Sequence, residues 1–583
     1  MTQVGQVSLA TTRNWKKLGV DNFDGKLTSR ANKKLSRKNI IPLEYFDNTA
    51  NIPSIEGLTG ELLESGYEVG DVLYSLGVGL LRRANVINEQ GCGPNEAVND
   101  FLEEYEDVHR IIDYLVELDL PEDETDLLGL IYQCLLTEGD KNTQGSYYTP
   151  KNVVRDMVAG IDVTGNQKIL DPCCGSLVYP LNIQGIKPTQ IYAMDLDPIA
   201  VMLSKFNYFL KFPDAPRPNI YQGNYLDDAG LLHDNKYDYI ITNPPWGAET
   251  IDITAKYPMI LSREVFSCFL VASHRLLKEG GQIKFLLPES ILNVKVHRDV
   301  REFILHDADL TSIKVYPELF SGVTTKYAAM TINQAGDTRH IKIDLAGQEW
   351  DVEKNIYETA PNFIFRLSDS TDEAIIEKVL SQKKYDLSES IWALGIVTGN
   401  NKQKLHAEHK DGMERIFTGK DIELYTLKAA RYSIDYDRLK LQQVAKEEIY
   451  RAKEKLAYKF ISKKLTFAVD ESGSLFLNSA NILIPNIPNM SVKTVAALLN
   501  SELYQYLYIK MFREIKILKG NLLQLPFPEI DTKTDMLMTG LVSRVINGED
   551  SYRNELQEIV FGLFNISETE MRHIRKELHG PVS

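Results

Sequence analysis

A chain of 583 residues exceeds one typical domain, so two or three are expected. An apolar fraction of 43% supplies a large core, yet no run reaches the ~20 continuous apolar residues that span a bilayer, which argues against a membrane protein. The net charge of −16 is at odds with a surface that grips a polyanion everywhere, so the distribution of charge matters more than its sum.

The first 40 residues are basic, with Arg13, Lys16, Lys17, Lys26, Arg30, Lys33, Lys34, Arg37 and Lys38 against Asp21 and Asp24. Residues 44–126 are acidic, and the C-terminal third is basic again from Lys402 to Lys464. Two basic segments flanking an acidic one point to a phosphate-contacting surface with an acidic back. The cysteines at 92, 134, 173, 174 and 268 lack the paired spacing of a zinc site or a disulfide framework. With no signal-peptide apolar region at the N-terminus, a reducing cytoplasm is expected, and no metal.

In chain order, residues 1–143 read as a mostly helical region. Ile111 to Leu118 and Thr125 to Leu136 have helical apolar spacing, with Thr125 as the expected N-cap ahead of Asp126. Residues 144–340 alternate short β-rich runs with helical ones, which predicts an α/β, doubly wound, mostly parallel sheet of Rossmann-like type. Its first strand, Lys168 to Leu170, runs into the small-residue turn Asp171-Pro172-Cys173-Cys174-Gly175-Ser176, the kind of turn that lets a backbone approach a cofactor. The second strand ends at Asp195, placed about 20 residues on, where an acid holds a ribose diol. Ile199 to Phe212 is a predicted helix, and Ile220 to Leu226 a third strand and loop. In that loop Asn224 is a candidate partner for a cofactor adenine, and Tyr225 a candidate to pack on it.

The strand Tyr239-Ile240-Ile241 ends in Thr242-Asn243-Pro244-Pro245-Trp246-Gly247. Prolines cannot extend a ladder and fix a rigid turn. The Asn243 carboxamide oxygen and the Pro244 carbonyl become two acceptors at the strand edge, able to take both hydrogens of one exocyclic amino group. Trp246 offers a flat face for the ring that carries that group. A plain Pro-Pro turn with a buried indole is the structural alternative.

Residues from about 125 to 333 resemble the γ class of DNA adenine-N6 methyltransferases. The segments that carry the resemblance are Gly145-Ser146-Tyr147-Tyr148-Thr149-Pro150, the Asp171–Gly175 turn, Asn243–Trp246, and Phe266 to Leu287 followed by Pro288-Glu289-Ser290. The resemblance implies S-adenosyl-L-methionine as cofactor, with Tyr148, Thr149 and Pro150 beside its methionine part, Asp171, Pro172, Cys174 and Gly175 at the turn, and Asp195 on the ribose. It implies Phe320 as a second aromatic wall for a swung-out base. Asn224 stands where the family commonly has Asp, and Leu177 where many members have a second glycine.

Residues 341–583 have a different texture, with turns at Thr398-Gly399-Asn400 and Thr418-Gly419-Lys420-Asp421, a charged helix expected near 443–457 and strands near 465–485. They resemble the mixed α+β target-recognition domains fused behind γ-class catalytic domains. Double-stranded DNA is then the expected partner, with a cognate restriction endonuclease as a further one and a monomer or weak dimer as the state. The other readings are the modification subunit of a multi-subunit restriction enzyme, a protein-glutamine or ribosomal-RNA guanine methyltransferase, and a non-enzymatic cofactor-sensing DNA-binding module.

Overall fold

A computed structural model describes residues 20–23, 45–137, 149–227, 232, 234–246, 256–262, 264–316, 326–408, 410–513 and 516–579. The chain forms two compact units, residues 31–367 and residues 1–30 with 368–583; the first strand, β1 (Val20–Phe23), belongs to the latter.

Unit 31–367 is built on a nine-stranded sheet of β2 (Ile169–Asp171), β3 (Ile191–Asp195), β4 (Asn219–Gln222), β5 (Tyr237–Thr242), β6 (Leu277–Pro288), β7 (Asp309–Tyr316), β8 (Tyr327–Asn333), β9 (His340–Leu345) and β10 (Gln348–Glu353). The spatial order is β10-β9-β7-β8-β6-β5-β2-β3-β4. β2 pairs in parallel with β3 on one side and β5 on the other, and β4 and β6 extend the parallel set outward. β8 runs antiparallel to both β6 and β7.

Alternation along the strands explains why both faces are covered. Ile169 and Ile241 pack into one core, and their neighbours Leu170 and Ile240 into the other. A parallel sheet buried on both faces needs such apolar runs. The helix Pro198–Lys211 begins on an Asp197 cap whose side chain accepts from the Ile199 N–H, with proline at its first turn.

Two expected boundaries fall differently. The helices Ile52–Ser65, Val69–Arg83, Glu96–Glu106 and Leu127–Leu135 share one hydrophobic core with the sheet, so residues before 143 within this unit are not a separate body. The expected limit at 340 lies at the start of β9, a strand paired in parallel with β7, and the unit continues to Leu367. The N-cap at 125 also moves by one: Asp126 caps Leu127–Leu135 by accepting from the Gly129 N–H.

In the other unit, β1 pairs antiparallel with β14 (Gln443–Ala445). A four-stranded sheet contains β11 (Ile391–Leu394), β15 (Lys455–Lys459), β16 (Phe467–Asp470) and β18 (Ala480–Ile484), and a three-stranded one β12 (Glu414–Phe417), β13 (Tyr432–Ile434) and β17 (Leu475–Phe476). The helices Val492–Leu499, Glu502–Phe512, Thr532–Ile546, Tyr552–Leu563 and Glu568–His579 pack on a common core. The charged helix expected near 443–457 is instead β14, a single turn at Glu447–Tyr450, and β15. Among the described residues no helix is long and apolar enough to cross a membrane.

Candidate active site

Strand order reverses at β2, because the chain builds outward to β3 and β4 and then returns to β5 on the other side. Ligands of open α/β sheets bind at the carboxyl ends of strands at such a switch point. There the fold assembles Asp171 from the end of β2, Asp195 from the end of β3, Asn224 after β4, and Asn243 after β5.

The turn after β2 is held by its neighbours. The Gly175 N–H donates to Asp195 Oδ2 (2.9 Å), and the Cys174 N–H to the Met194 carbonyl (3.0 Å). Gly175 sits at φ 53° and Leu177 at φ 72°, both left-handed. The Leu177 position is one where glycine is at ease, and here a buried leucine takes it. Three residues that motif reading passed over fasten the turn: Asp126 accepts from Ser176 Oγ (2.5 Å) and Asn207 Nδ2 (2.9 Å), and Ser204 Oγ donates to the Gly175 carbonyl (2.7 Å). An acid heading the helix before the turn, and polar residues on the buried face of the helix 198–211, were the available signals. Cys174 turns its sulfur to Ser204 Oγ at 3.3 Å, so its contribution at the turn is backbone.

Asp171 is fully buried, and its Oδ1 accepts from the Cys173 N–H at 3.3 Å. Burial, with the nearby charge of Asp195 adding to it, pushes its carboxyl up to about 7. Burial likewise pushes Asp195 up to about 6, against hydrogen bonds from the Asp197 and Gly175 N–H groups. Asp171 Oδ2 has no hydrogen-bond partner among the described residues, and neither acid forms an ion pair with them. Two acids without a cation, one keeping an unused buried oxygen, suit a ligand that brings positive charge and donors.

On the far side of the switch point, Asn243 Nδ2 donates to Thr149 Oγ1 at 3.3 Å, and Thr149 Oγ1 lies 3.0 Å from the Tyr179 hydroxyl. That contact orients the amide, because the end that donates to Thr149 is the nitrogen. Pro150 leads into the helix Lys151–Val158 and brings Thr149 to this place. Pro244 is buried, while Pro245 and Trp246 are part-exposed. The Trp246 indole packs between the two cores with its centroid 4.7 Å from that of Tyr327, at 44°. Tyr327, at the start of β8, is an aromatic neighbour that the sequence did not single out.

Tyr225 does not face this site. It is 2% exposed, its ring lies 5.1 Å from Phe269, and its hydroxyl pairs with Ser273 Oγ at 3.0 Å, so it is a core residue rather than a cofactor platform. The exposed Asn224 bends its Oδ1 back to the Leu226 N–H at 3.2 Å. Tyr148 and Phe320 lie outside the described residues.

Acids closing β2 and β3, with an oriented Asn-Pro-Pro-Trp turn closing β5, define the class of α/β S-adenosylmethionine-dependent methyltransferases. Comparison with known proteins narrows this. Residues 123–364 match the N-6 DNA Methylase family, and residues 414–527 match the TaqI-like C-terminal specificity domain. The chain thus joins an N-6 DNA methylase domain to a TaqI-like specificity domain, and it is a DNA adenine methyltransferase with restriction-modification relatives. It is 28% identical to Type II methyltransferase M.VspI of Vibrio sp. (strain 343) over 56% of this chain and 83% of that protein. It is 27% identical to the Type I restriction enzyme EcoEI methylase subunit of Escherichia coli over 39% of this chain and 49% of that protein, so it spans about half of that relative. The solved structure of the Type IIL restriction-modification enzyme MmeI in complex with DNA has the same fold, with a TM-score of 0.62 at 11% identity, over 90% of this chain and 98% of that one.

Proposed function

We propose that this protein methylates the N6 amino group of an adenine swung out of a short duplex DNA sequence, acting as a single chain in the cytoplasm within a restriction-modification or related system. The observation that carries the reading is the oriented Asn243 amide at the end of β5, held by Thr149. S-adenosylmethionine, when bound, supplies an electrophilic methyl group. Asp171 and Asp195 would hold its amino and ribose groups, with Thr149, Pro150, Pro172, Gly175 and Asn224 beside it.

The chain's own residues do the rest. The adenine amino nitrogen is a weak nucleophile because its lone pair is conjugated with the ring, and in a duplex it is hidden. Swinging the base out costs a few kcal/mol. Stacking on Trp246 offsets part of that, at roughly 1–3 kcal/mol by analogy with single-strand binders. The Asn243 oxygen and the Pro244 carbonyl accept the two N–H bonds and favour a pyramidal nitrogen with its lone pair directed outward. Positive charge grows on nitrogen during transfer, so fixed acceptors stabilise the transition state more than the ground state. The resulting nitrogen is acidic and passes its proton to solvent without a strong base.

A specificity domain in the same chain favours stand-alone action over a subunit that borrows its specificity, and a cognate endonuclease would be a separate protein. Sequencing DNA from cells that express the chain, with detection of modified bases, tests the reading. N6-methyladenine at one short sequence is expected; unmodified adenine together with modified guanine in ribosomal RNA would replace it.

A further inference from the structure

The basic C-terminal third resolves, in the fold, into two kinds of cation. One kind is engaged within the protein: Lys428 with Glu423 (2.7 Å), Arg431 with the buried Asp421 (2.7 Å), Arg451 with Glu414 (2.5 Å), Lys455 with Asp470 (2.5 Å), and Lys440 with Asp437 (3.2 Å). The other kind has no acid partner among the described residues, and several of its members cluster. Lys420 and Lys459 line one concave surface of about 380 Å³, together with Phe460, Ile461, Ser462 and Asn478. Lys463 and Lys464 come next on the same loop, and Lys516 is bridged through its backbone to Ile461.

The backbone there is fixed rather than loose. The Gly419 N–H donates to Ser479 Oγ at 2.9 Å, the Phe460 N–H to the Ser479 carbonyl at 3.2 Å, and the Ile517 N–H to the Phe460 carbonyl at 2.8 Å. A β-carbon on Gly419 would fall 2.5 Å from the Ser479 carbonyl oxygen, so the two turns are in intimate contact. Ile461 stands 59% exposed amid these cations.

We propose that this hollow is the DNA-contacting site of the specificity domain. The inference rests on the DNA reading above and deepens it by naming residues. Lys420 and Lys459 neutralise backbone phosphates, while the Ile461-Ser462 edge and Asn478 present one apolar and two hydrogen-bonding groups to base edges. In a protein of net charge −16, a concave surface that carries lysines and no acid stands out as a positive patch, and such a patch focuses a polyanion. An apolar residue between amide and hydroxyl groups is what a groove with methyl, donor and acceptor positions accommodates.

The test uses the full chain, a duplex carrying its methylated sequence, and binding isotherms across salt concentrations. Each phosphate contact contributes about 0.9 to the slope of log affinity against log salt. The double variant Lys420→Gln, Lys459→Gln is expected to lower that slope by about 2 and to weaken binding tenfold or more at low salt, with S-adenosylmethionine binding by calorimetry unchanged. Lys453→Gln is a control that removes an exposed charge beyond the other end of β15, and it should leave the slope in place. Ser462→Ala with Asn478→Ala should reduce discrimination against single-base changes while keeping the slope. An unchanged slope in the lysine double variant overturns the inference, as does an equal fall in the Lys453 control. A wild-type chain that binds cofactor but no duplex fails the stand-alone DNA reading itself, and the inference with it; those two failures are distinct measurements.

Discussion

At the scale of single residues, the proposed chemistry turns on which end of the Asn243 amide accepts. The amide of Asn243 has two ends, and Thr149 selects between them by accepting from Nδ2. Asn243→Ala removes the acceptor and is expected to lower the methyl-transfer rate by 10²–10³, about 3–4 kcal/mol if it behaves like a lost oxyanion-hole donor, while duplex binding stays near wild type. Single-turnover kinetics with labelled methyl donor measures the first and gel shift the second; near-normal turnover would remove Asn243 from the chemistry. Asp171 gives a prediction of a different kind. Its carboxyl titrates at about 7 in the fold against an ordinary 3.8, because burial disfavours its charge. Between those values the folded protein keeps a proton that the unfolded chain has shed, so the free protein loses stability as pH rises toward 7. Binding of a cationic ligand needs the ionised form and runs the other way. Affinity for S-adenosylmethionine is expected to rise by up to about tenfold per pH unit below pH 7 and to level above it, with proton release visible as buffer-dependent heat. Asp171→Asn should weaken binding and flatten that dependence.

At the scale of elements, the motif strands were legible because each pairs a buried apolar run with a turn that only a few residue types can make. Asp171, Asp195 and Asn243 stand at the carboxyl ends of β2, β3 and β5 because an acid or a proline ends an apolar strand. Tyr225 was misread because a tyrosine after a strand looks the same in sequence whether it faces a ligand or the core; Ser273, 48 positions on, decides it by taking the hydroxyl. The stretch 443–457, expected as a charged helix, is two strands and a single turn for a related reason. Lys455 is not solvated: it sits opposite Asp470 in the antiparallel β15–β16 register, fully buried, with its ammonium on that carboxylate and on the Tyr450 carbonyl. A partner far along the chain and across a strand leaves no local periodicity. Lys455→Ala takes the ammonium from a buried carboxylate that keeps the Ser472 and Ser474 N–H groups and the Ser474 hydroxyl, and is expected to destabilise the specificity domain by about 3–5 kcal/mol, whereas Lys455→Met with Asp470→Asn, which keeps an acceptor for those donors, should recover part of it. Urea unfolding of both variants measures the difference, and equal losses would mean that the pair is not coupled.

At the scale of the whole molecule, composition indicated more than one body, and the fold places the division at Leu367 and Ser368. The helices before residue 137 looked like a separate region because their acidic surface differs from the mixed composition of residues 144–340, but surface charge says little about which apolar faces meet. Gly77 shows the meeting: a β-carbon there would lie 2.6 Å from the ring of Phe206, on the helix 198–211 next after β3. Phe206 also packs edge-on to Phe101, 4.9 Å between centroids, and against Tyr74. The N-terminal helices are thus one wall of the core behind the Asp171–Ser176 turn, and the same helices bring Asp126 to Ser176 and Asn207. Two consequences can be measured. Gly77→Ala overfills a closed contact and should cost about 1–3 kcal/mol. A fragment beginning at residue 123, where the methylase-family match starts, lacks the helices Ile52–Ser65, Val69–Arg83, Glu96–Glu106 and Asp113–Val116 of that wall and exposes Phe206, Phe209 and their neighbours. It is expected to keep far-ultraviolet circular dichroism, lose near-ultraviolet signal, bind a hydrophobic dye and fail to bind S-adenosylmethionine. A fragment 123–367 that binds the cofactor as tightly as the full chain would show that the sheet closes its core without the N-terminal helices, and that Asp126 holds the turn without the wall behind it.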